Sequence, residues 1–492
     1  MRVWLLTALL ILSGCQEKME VDVSMPRPRL VSDQEIKELE AGLLAEVAKN
    51  QGKQCPRPVL RGKPLPGSSA EKIVALVEGT PDLKKCRELL KTHADLLVDN
   101  LLYPEESPPA EAPSRNTATA REITKPGPEL MALDKACLPM IARIREAVRY
   151  QDACSPFRPG LRGMPQLLAL IHAIRYAAWR ARTLLSGGRP AEGFDLLLDC
   201  VRLVQDFSRG GTSVLEPMVA AGALRSVLPV IEQGLNRPDV QDPKLLARVE
   251  SELAQLIETQ PHPESFLRGE SQNMRLYALL PGMKGDDWTP PGGWGSEDRP
   301  PTFTTGEFGL DNVEGSALAL IAIRETGQAW LSGCKAESLP IDCYRHMQKL
   351  GRELQENSNA SPENIAGLLK VAFAEDKAKE IRRQIVQILK SIASPAFDKY
   401  VAKDGQVRFS LAALRVQAAY RRLAEKNKSC PGLAAFDRPP FIKLRSDPYS
   451  GDQILVKSSA SGRFELRAPV FLGKQVGDPA EPAVFVRCPY AK

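Results

Sequence analysis

"QLLALIHAIRYAAWRARTLLSGGRPAEGFDLLLDCVRLVQDF", residues 166–207, is the best-patterned part of the chain. A helix over Gln166–Ser186 stops at Gly187-Gly188, because glycine takes the left-handed conformation that closes a helix without steric cost. Pro190 then opens a second helix at a position where its missing N–H is harmless. Helices joined by so short a turn pack antiparallel, so the stretch predicts a helical hairpin. Cys200 falls in the second helix as a small apolar thiol. A reactive cysteine needs an exposed, electropositive setting, and Asp195, Asp199 and a leucine run surround this one instead.

The same punctuation recurs on both sides. Ser32 with Glu35, before "IKELEAGLLAEVAKN", and Ser68 with Glu71, before "KIVALVEG", are capping-box patterns that satisfy free N–H groups at a helix start. Thr80-Pro81 and Asp242-Pro243 each set a cap before a first-turn proline. After Asp242, residues Leu245, Leu246, Val249, Leu253, Leu256 and Ile257 recur at helical spacing and define one apolar face. Two stretches break the pattern. Residues 103–128 contain six prolines and little apolar content, which predicts a linker. Residues 281–312, with "GDDWTPPGGWGSEDRPPTF", predict a long irregular loop of the kind that often carries function.

The hairpin resembles one tetratricopeptide-type repeat, with Gly193 and Cys200 at its two small packing positions. The resemblance covers roughly 35 residues, lacks the turn-ending proline and does not recur. It therefore implies antiparallel helix packing rather than a repeat array. A second likeness is internal: "CPRPVLRGKP" from Cys55 and "CSPFRPGLRGMP" from Cys154 both set a Cys and prolines before Leu-Arg-Gly and a helix.

Near the C-terminus the period changes. Phe464 and Leu466 alternate with Arg463, Glu465 and Arg467, following "DPYSGDQILVKSS" and the turn "SASG", and "AVFVRC" alternates too. This predicts a β-hairpin with one covered face. The expected fold class is mainly α, an antiparallel helical bundle or irregular α-solenoid, with a small C-terminal antiparallel β module. Composition divides the chain into a signal peptide (1–14), a tether (15–30), an N-terminal helical segment (31–102), the linker (103–128), a central helical domain (129–280), the loop (281–312), a second helical region (313–428) and the β module (429–492).

The chain begins with one charge, Arg2, and the ten-residue apolar run Val3–Leu12, which suits a secretory segment and is too short to span a bilayer. The Leu12-Ser13-Gly14-Cys15 that follows resembles the lipobox of bacterial lipoproteins, and the remainder is similar to exported helical lipoproteins of no assigned activity. The resemblance implies that Cys15 becomes the acylated first residue of the mature chain, since two or three acyl chains anchor firmly where one does not. Gln16 and Glu17, rather than Asp, follow Cys15 and favour the outer membrane of the cell envelope. The expected partners are the membrane, through Cys15, and an envelope protein or the cell wall. A net charge of +6 over 492 residues is too dilute for a nucleic-acid footprint.

Lipidation of Cys15 leaves nine of the ten cysteines in a compartment where disulfides persist. Proximity along the chain pairs Cys55 with Cys86, Cys137 with Cys154, Cys334 with Cys343 and Cys430 with Cys488. The last closes the longest loop, worth about 4 kcal/mol on the chain-entropy account. Cys200 is left as the free thiol.

The search for chemistry finds no nucleophile elbow, zinc-protease helix, phosphate loop or dinucleotide fingerprint. Close Cys or His pairs are also missing, so neither a metal nor another cofactor is expected. His93, His172, His262 and His346 are isolated in sequence; His172 reads as a core or boundary imidazole and His346 as a helix-surface residue. Within "HPESFLRGESQNMRLY", Glu264-Ser265 and Glu270-Ser271 resemble the Glu-Ser pair of lytic transglycosylases, whose Glu is the acid/base. That family's Gly-Leu-Met-Gln and Tyr-Asn-Gly elements are missing. Trp288 and Trp294, beside Asp286 and Asp287, could stack on a sugar or peptide or simply pin the loop. The expectation is a lipid-anchored envelope protein acting as a non-catalytic scaffold or binding module. The alternative is a peptidoglycan- or glycan-acting enzyme using Glu264 or Glu270.

Overall fold

The computed structural model describes residues 30–51, 55–93, 97, 127–153, 167–209, 215–284, 312–356, 382–383, 386, 398–460, 463–469 and 483–490. Cys15, Cys154, Trp288 and Trp294, most of the expected linker and most of the irregular loop lie outside these residues. The protein is mainly helical, with a small antiparallel three-stranded sheet near its C-terminus.

The N-terminal part comprises α1 (Asp33–Gln51), β1 (Leu65–Ser68), α2 (Ala70–Glu78), a 3-10 turn over Pro81–Leu83, α3 (Lys84–Thr92), α4 (Pro128–Ala147) and β2 (Tyr150–Asp152). At α1 the Glu35 N–H donates to the Ser32 hydroxyl at 3.2 Å, completing that cap. At α2 the Ser68 hydroxyl instead accepts from the nearer Ala70 N–H at 3.2 Å, because Ser68 is still in the strand. β1 and β2 form a short parallel pair that joins segments far apart in sequence. No alternation in the sequence announces it.

The hairpin consists of α5 (Leu167–Ser186) and α6 (Pro190–Ser208). Gly188 lies at φ 75°, Arg189 N–H reaches back to Leu184 O at 2.9 Å, and Gly188 N–H reaches Leu185 O at 3.4 Å. These two bonds satisfy the terminal carbonyls of α5. A Cβ on Gly193 would meet Leu185 Cγ at 2.8 Å and Ala181 O at 3.0 Å, so glycine sets how closely the helices approach. From Gly193 to Ser208 nearly every residue of α6 is buried, which makes it the central helix.

Around it lie α7 (Leu215–Leu224), α8 (Leu228–Asn236), α9 (Pro243–Glu258) and the long α13 (Asp398–Asn427). The Asp242 carboxylate accepts the Lys244 N–H at 2.9 Å and starts α9, whose buried face holds Leu245, Leu246, Val249, Leu253 and Leu256. Arg422 pairs with Glu250 at 2.8 Å and Arg408 donates to Pro261 O at 2.6 Å, so α13 runs antiparallel to α9. Because α13 returns to α7 and α8 as well, the arrangement is a bundle; in a solenoid each unit would touch only its neighbours. One apolar core runs from Ile73 to Cys488 and crosses the expected boundaries at 128, 312 and 428. Those compositional divisions therefore do not mark separate cores.

A second pair, α10 (Pro263–Lys284) and α11 (Asn312–Ser332), packs antiparallel, with Ser271 filling the space beside Gly327. The helix α12 (Pro340–Glu356) follows and shares with them a smaller core that includes Phe266, Trp330, Tyr344 and Met347. After α13 come a 3-10 turn (Leu433–Asp437), a single helical turn α14 (Phe441–Leu444), and strands β3 (Leu455–Ala460), β4 (Arg463–Arg467) and β5 (Ala483–Arg487), in that order across the sheet. Phe464, Leu466, Val484 and Val486 form its covered face. The outer edge of β5 is capped by α8: Glu232 accepts the Phe485 N–H at 2.8 Å, and the Asn236 side chain accepts the Arg487 N–H at 2.9 Å. Such capping removes an open strand edge.

Cys334 is bonded to Cys343 and Cys430 to Cys488. The two pairings expected nearer the N-terminus are corrected: Cys86 is bonded to Cys137. Side-by-side packing of α3 and α4 brings these Cα atoms to 4.9 Å across 51 positions of sequence, a proximity that counting along the chain cannot see. Cys55 is also disulfide-bonded, and Cys200 is a buried free thiol.

Candidate functional site

The segment after Cys55 is a strap that sends two arginines into the bundle. Arg57 forms an ion pair with Asp206 on α6 and donates to Val148 O at 3.1 Å. Arg202 donates to Thr259 Oγ1 at 2.7 Å and to Pro58 O of the strap, and Arg209 donates to Thr259 O. Burial pushes the Asp206 carboxyl up against the pull of Arg57 and Arg202, and lowers Arg202 to about 9. Further along the strap, Arg61 pairs with Asp199 and Glu252 and donates to Asp195 O at 2.7 Å. Arg248 pairs with Asp195 at 2.7 Å. Desolvation raises Asp199 to about 7 despite Arg61, with Asp195 adding to the rise. A carboxyl so shifted could in principle exchange a proton near neutral pH, but Asp199 is buried and bonded to Arg61. The two arginines belong to the "CPRPVLRGKP" segment; the sequence marked it as a loop and offered no sign of its ion-pair partners.

A small cavity lies between α6, α7, α13 and the start of α10, bordered by Gln205, Ser208, Leu224, Phe266, Asp404 and Arg408. Its volume of about 30 Å³ suits a water or two, not a sugar ring. Asp404 accepts from the Tyr344 hydroxyl at 2.8 Å and from Arg408 Nε at 2.7 Å, so its carboxylate is held in place by its neighbours.

The sequence-derived candidates are dispersed. Glu264 sits in the first turn of α10, paired with Arg268 at 2.5 Å. Glu270 is buried on the same helix, next to the Ser271 that packs on Gly327, and neither glutamate borders the cavity. His172 is half-buried on α5, its pKa lowered by burial and then by Arg175. His346 is not a free surface residue: its Nε2 lies 2.8 Å from Ala329 O and links α12 to α11. His93 closes α3, its N–H bonded to Leu89 O at 2.8 Å. The Cys200 thiol is pushed well up by burial and then by Asp199, which suits an inert core residue. Asp286, Asp287, Trp288 and Trp294 lie outside the described residues.

His262 also has a neighbourhood that its sequence context does not announce. It precedes α10, while Cys334 follows α11 and Cys343 lies in the first turn of α12. One donor atom from each of the three residues falls within 4.8 Å of the others. In the disulfide form neither cysteine offers a thiolate.

In comparisons with protein-family models, curated proteins and solved structures, the chain matches none.

Proposed function

We propose that this chain is a lipid-anchored protein of the bacterial cell envelope, held through acylated Cys15 and acting as a non-catalytic scaffold or binding module. The observation that carries the non-catalytic reading is how four of the buried carboxylates are used. Asp199, Asp206 and Glu252 are tied to strap arginines, and Asp404 to Tyr344 and Arg408. A general acid or base must come within about 3 Å of a substrate proton, and these groups are spent on intramolecular bonds. The Leu12-Ser13-Gly14-Cys15 pattern supports the anchor, and Gln16-Glu17 supports the outer membrane as its location. No described helix is long and apolar enough to cross a membrane, which accords with attachment by lipid.

Two measurements test this reading. Labelled palmitate should enter the wild-type protein and fail to enter a Cys15→Ser variant; equal labelling removes the anchor. Incubation of the mature protein with cell-wall sacculi should release no muropeptides. Release that disappears in Glu264→Gln or Glu270→Gln would establish the glycan-acting alternative and overturn the scaffold reading.

A further inference from the structure

We propose that His262, Cys334 and Cys343 form a thiol-gated site for a thiophilic d10 cation of the Zn²⁺ class, closed as the disulfide and opened by a dithiol reductant. The inference goes beyond the scaffold reading and does not depend on it. Its basis is the convergence of three borderline-to-soft ligands from three separate helix ends, with donor atoms within 4.8 Å of one another. The disulfide is not the sole tie at this site, because α10, α11 and α12 also pack through Phe266, Trp330, Tyr344 and Met347.

The imidazole is fixed by hydrogen bonds at both ring nitrogens. His262 Nδ1 accepts the Glu264 N–H at 3.2 Å, so Nε2 carries the proton and donates to Ser338 O at 2.8 Å. Ser338 belongs to the loop between the two cysteines. A metal-binding histidine usually donates its other N–H to a carbonyl or carboxylate, which fixes the ring and raises its basicity. Here that supporting bond exists, and the Nδ1 lone pair has only a long amide contact to give up.

The charge balance suits the surroundings. Both cysteines are fully buried in an apolar cluster, where a lone thiolate would be costly. Two thiolates with one divalent cation are neutral together. In the first step the dithiol gives two electrons and two protons to the Cys334–Cys343 bond, and becomes a disulfide itself. In the second, each thiol loses its proton as its sulfur bonds the metal, so metal entry releases two protons. With three protein ligands, the fourth tetrahedral position is left for water or a small ligand.

The test uses the full-length protein, reduced anaerobically with a dithiol, freed of reductant and titrated with Zn²⁺ against a chromophoric chelator. The oxidised protein should take up no zinc at this site. Reduced wild type should bind one equivalent more than a Cys334→Ala/Cys343→Ala double variant treated alike, and His262→Gln should weaken that binding by about tenfold or more. Cobalt in place of zinc should show thiolate-to-metal absorption in the wild type and lose it in the double variant. Zinc should also raise the melting temperature of reduced wild type and leave the double variant unmoved, a readout that stands even where reduction loosens the fold. Equal binding by wild type and double variant, full affinity in His262→Gln, or a reduced chain that zinc neither binds nor stabilises would overturn the proposal.

Discussion

Arg57 and Asp206 form an ion pair that is shut away from solvent and spans 149 positions of sequence, tying the strap to the middle of the bundle. Removing one partner leaves the other charge buried and uncompensated. Arg57→Ala should cost about 3–5 kcal/mol, read from the urea midpoint, whereas Arg57→Met combined with Asp206→Leu should recover most of the loss. A single variant as stable as wild type would show that the strap is not needed.

The raised pKa of Asp199 makes a signed prediction for pH. Its carboxyl titrates near 7 in the folded state against an ordinary value of 3.8, so the folded protein holds the proton more tightly. The resulting stabilisation is complete below the unfolded pKa and is lost as pH rises through 7. Stability from this group should therefore fall between pH 4 and 7, by at most about 1.4 kcal/mol per pH unit. Asp206 and Asp447, also raised chiefly by burial, act in the same direction. Denaturation midpoints measured from pH 5 to 8 should be flatter in Asp199→Asn; an unchanged slope would contradict the assignment.

Gly193→Ala sets helix propensity against packing. In an open helix, alanine gains about 1 kcal/mol over glycine. Here the new methyl would press on Leu185 and on the Ala181 carbonyl, and the backbone oxygen has no easy retreat. Net destabilisation of about 1–3 kcal/mol is expected in thermal or urea unfolding.

Peptide mapping of the unreduced protein should recover a Cys86–Cys137 linked pair and no Cys55–Cys86 pair. Among the described cysteines, Cys200 alone should react with a thiol reagent, and only after denaturation. Replacing both Cys86 and Cys137 with alanine should cost about 2–5 kcal/mol.

Local chemistry along the chain was enough for the mainly helical class, the glycine-closed hairpin, the apolar face of α9 and the alternating C-terminal strands. Each rests on a preference acting within a few residues: a left-handed glycine, an aspartate taking the N–H two positions on, or a period of two against 3.6. By the same reasoning Glu264 and Glu270 stand out for their neighbours in sequence; the Glu264–Arg268 pair lies within one turn of α10 and is legible there, whereas nothing local reveals that Glu270 is buried.

What only packing decided was long-range pairing. Cys86 meets Cys137, Arg57 meets Asp206, and His262 meets Cys334 and Cys343 because segments apart in sequence are packed together. The parallel match of β1 with β2 and the return of α13 to the main core belong to the same class. Burial then gives these contacts their chemistry: in water Asp199 would be an ordinary carboxylate and Cys200 an ordinary thiol, and desolvation by the assembled bundle changes both.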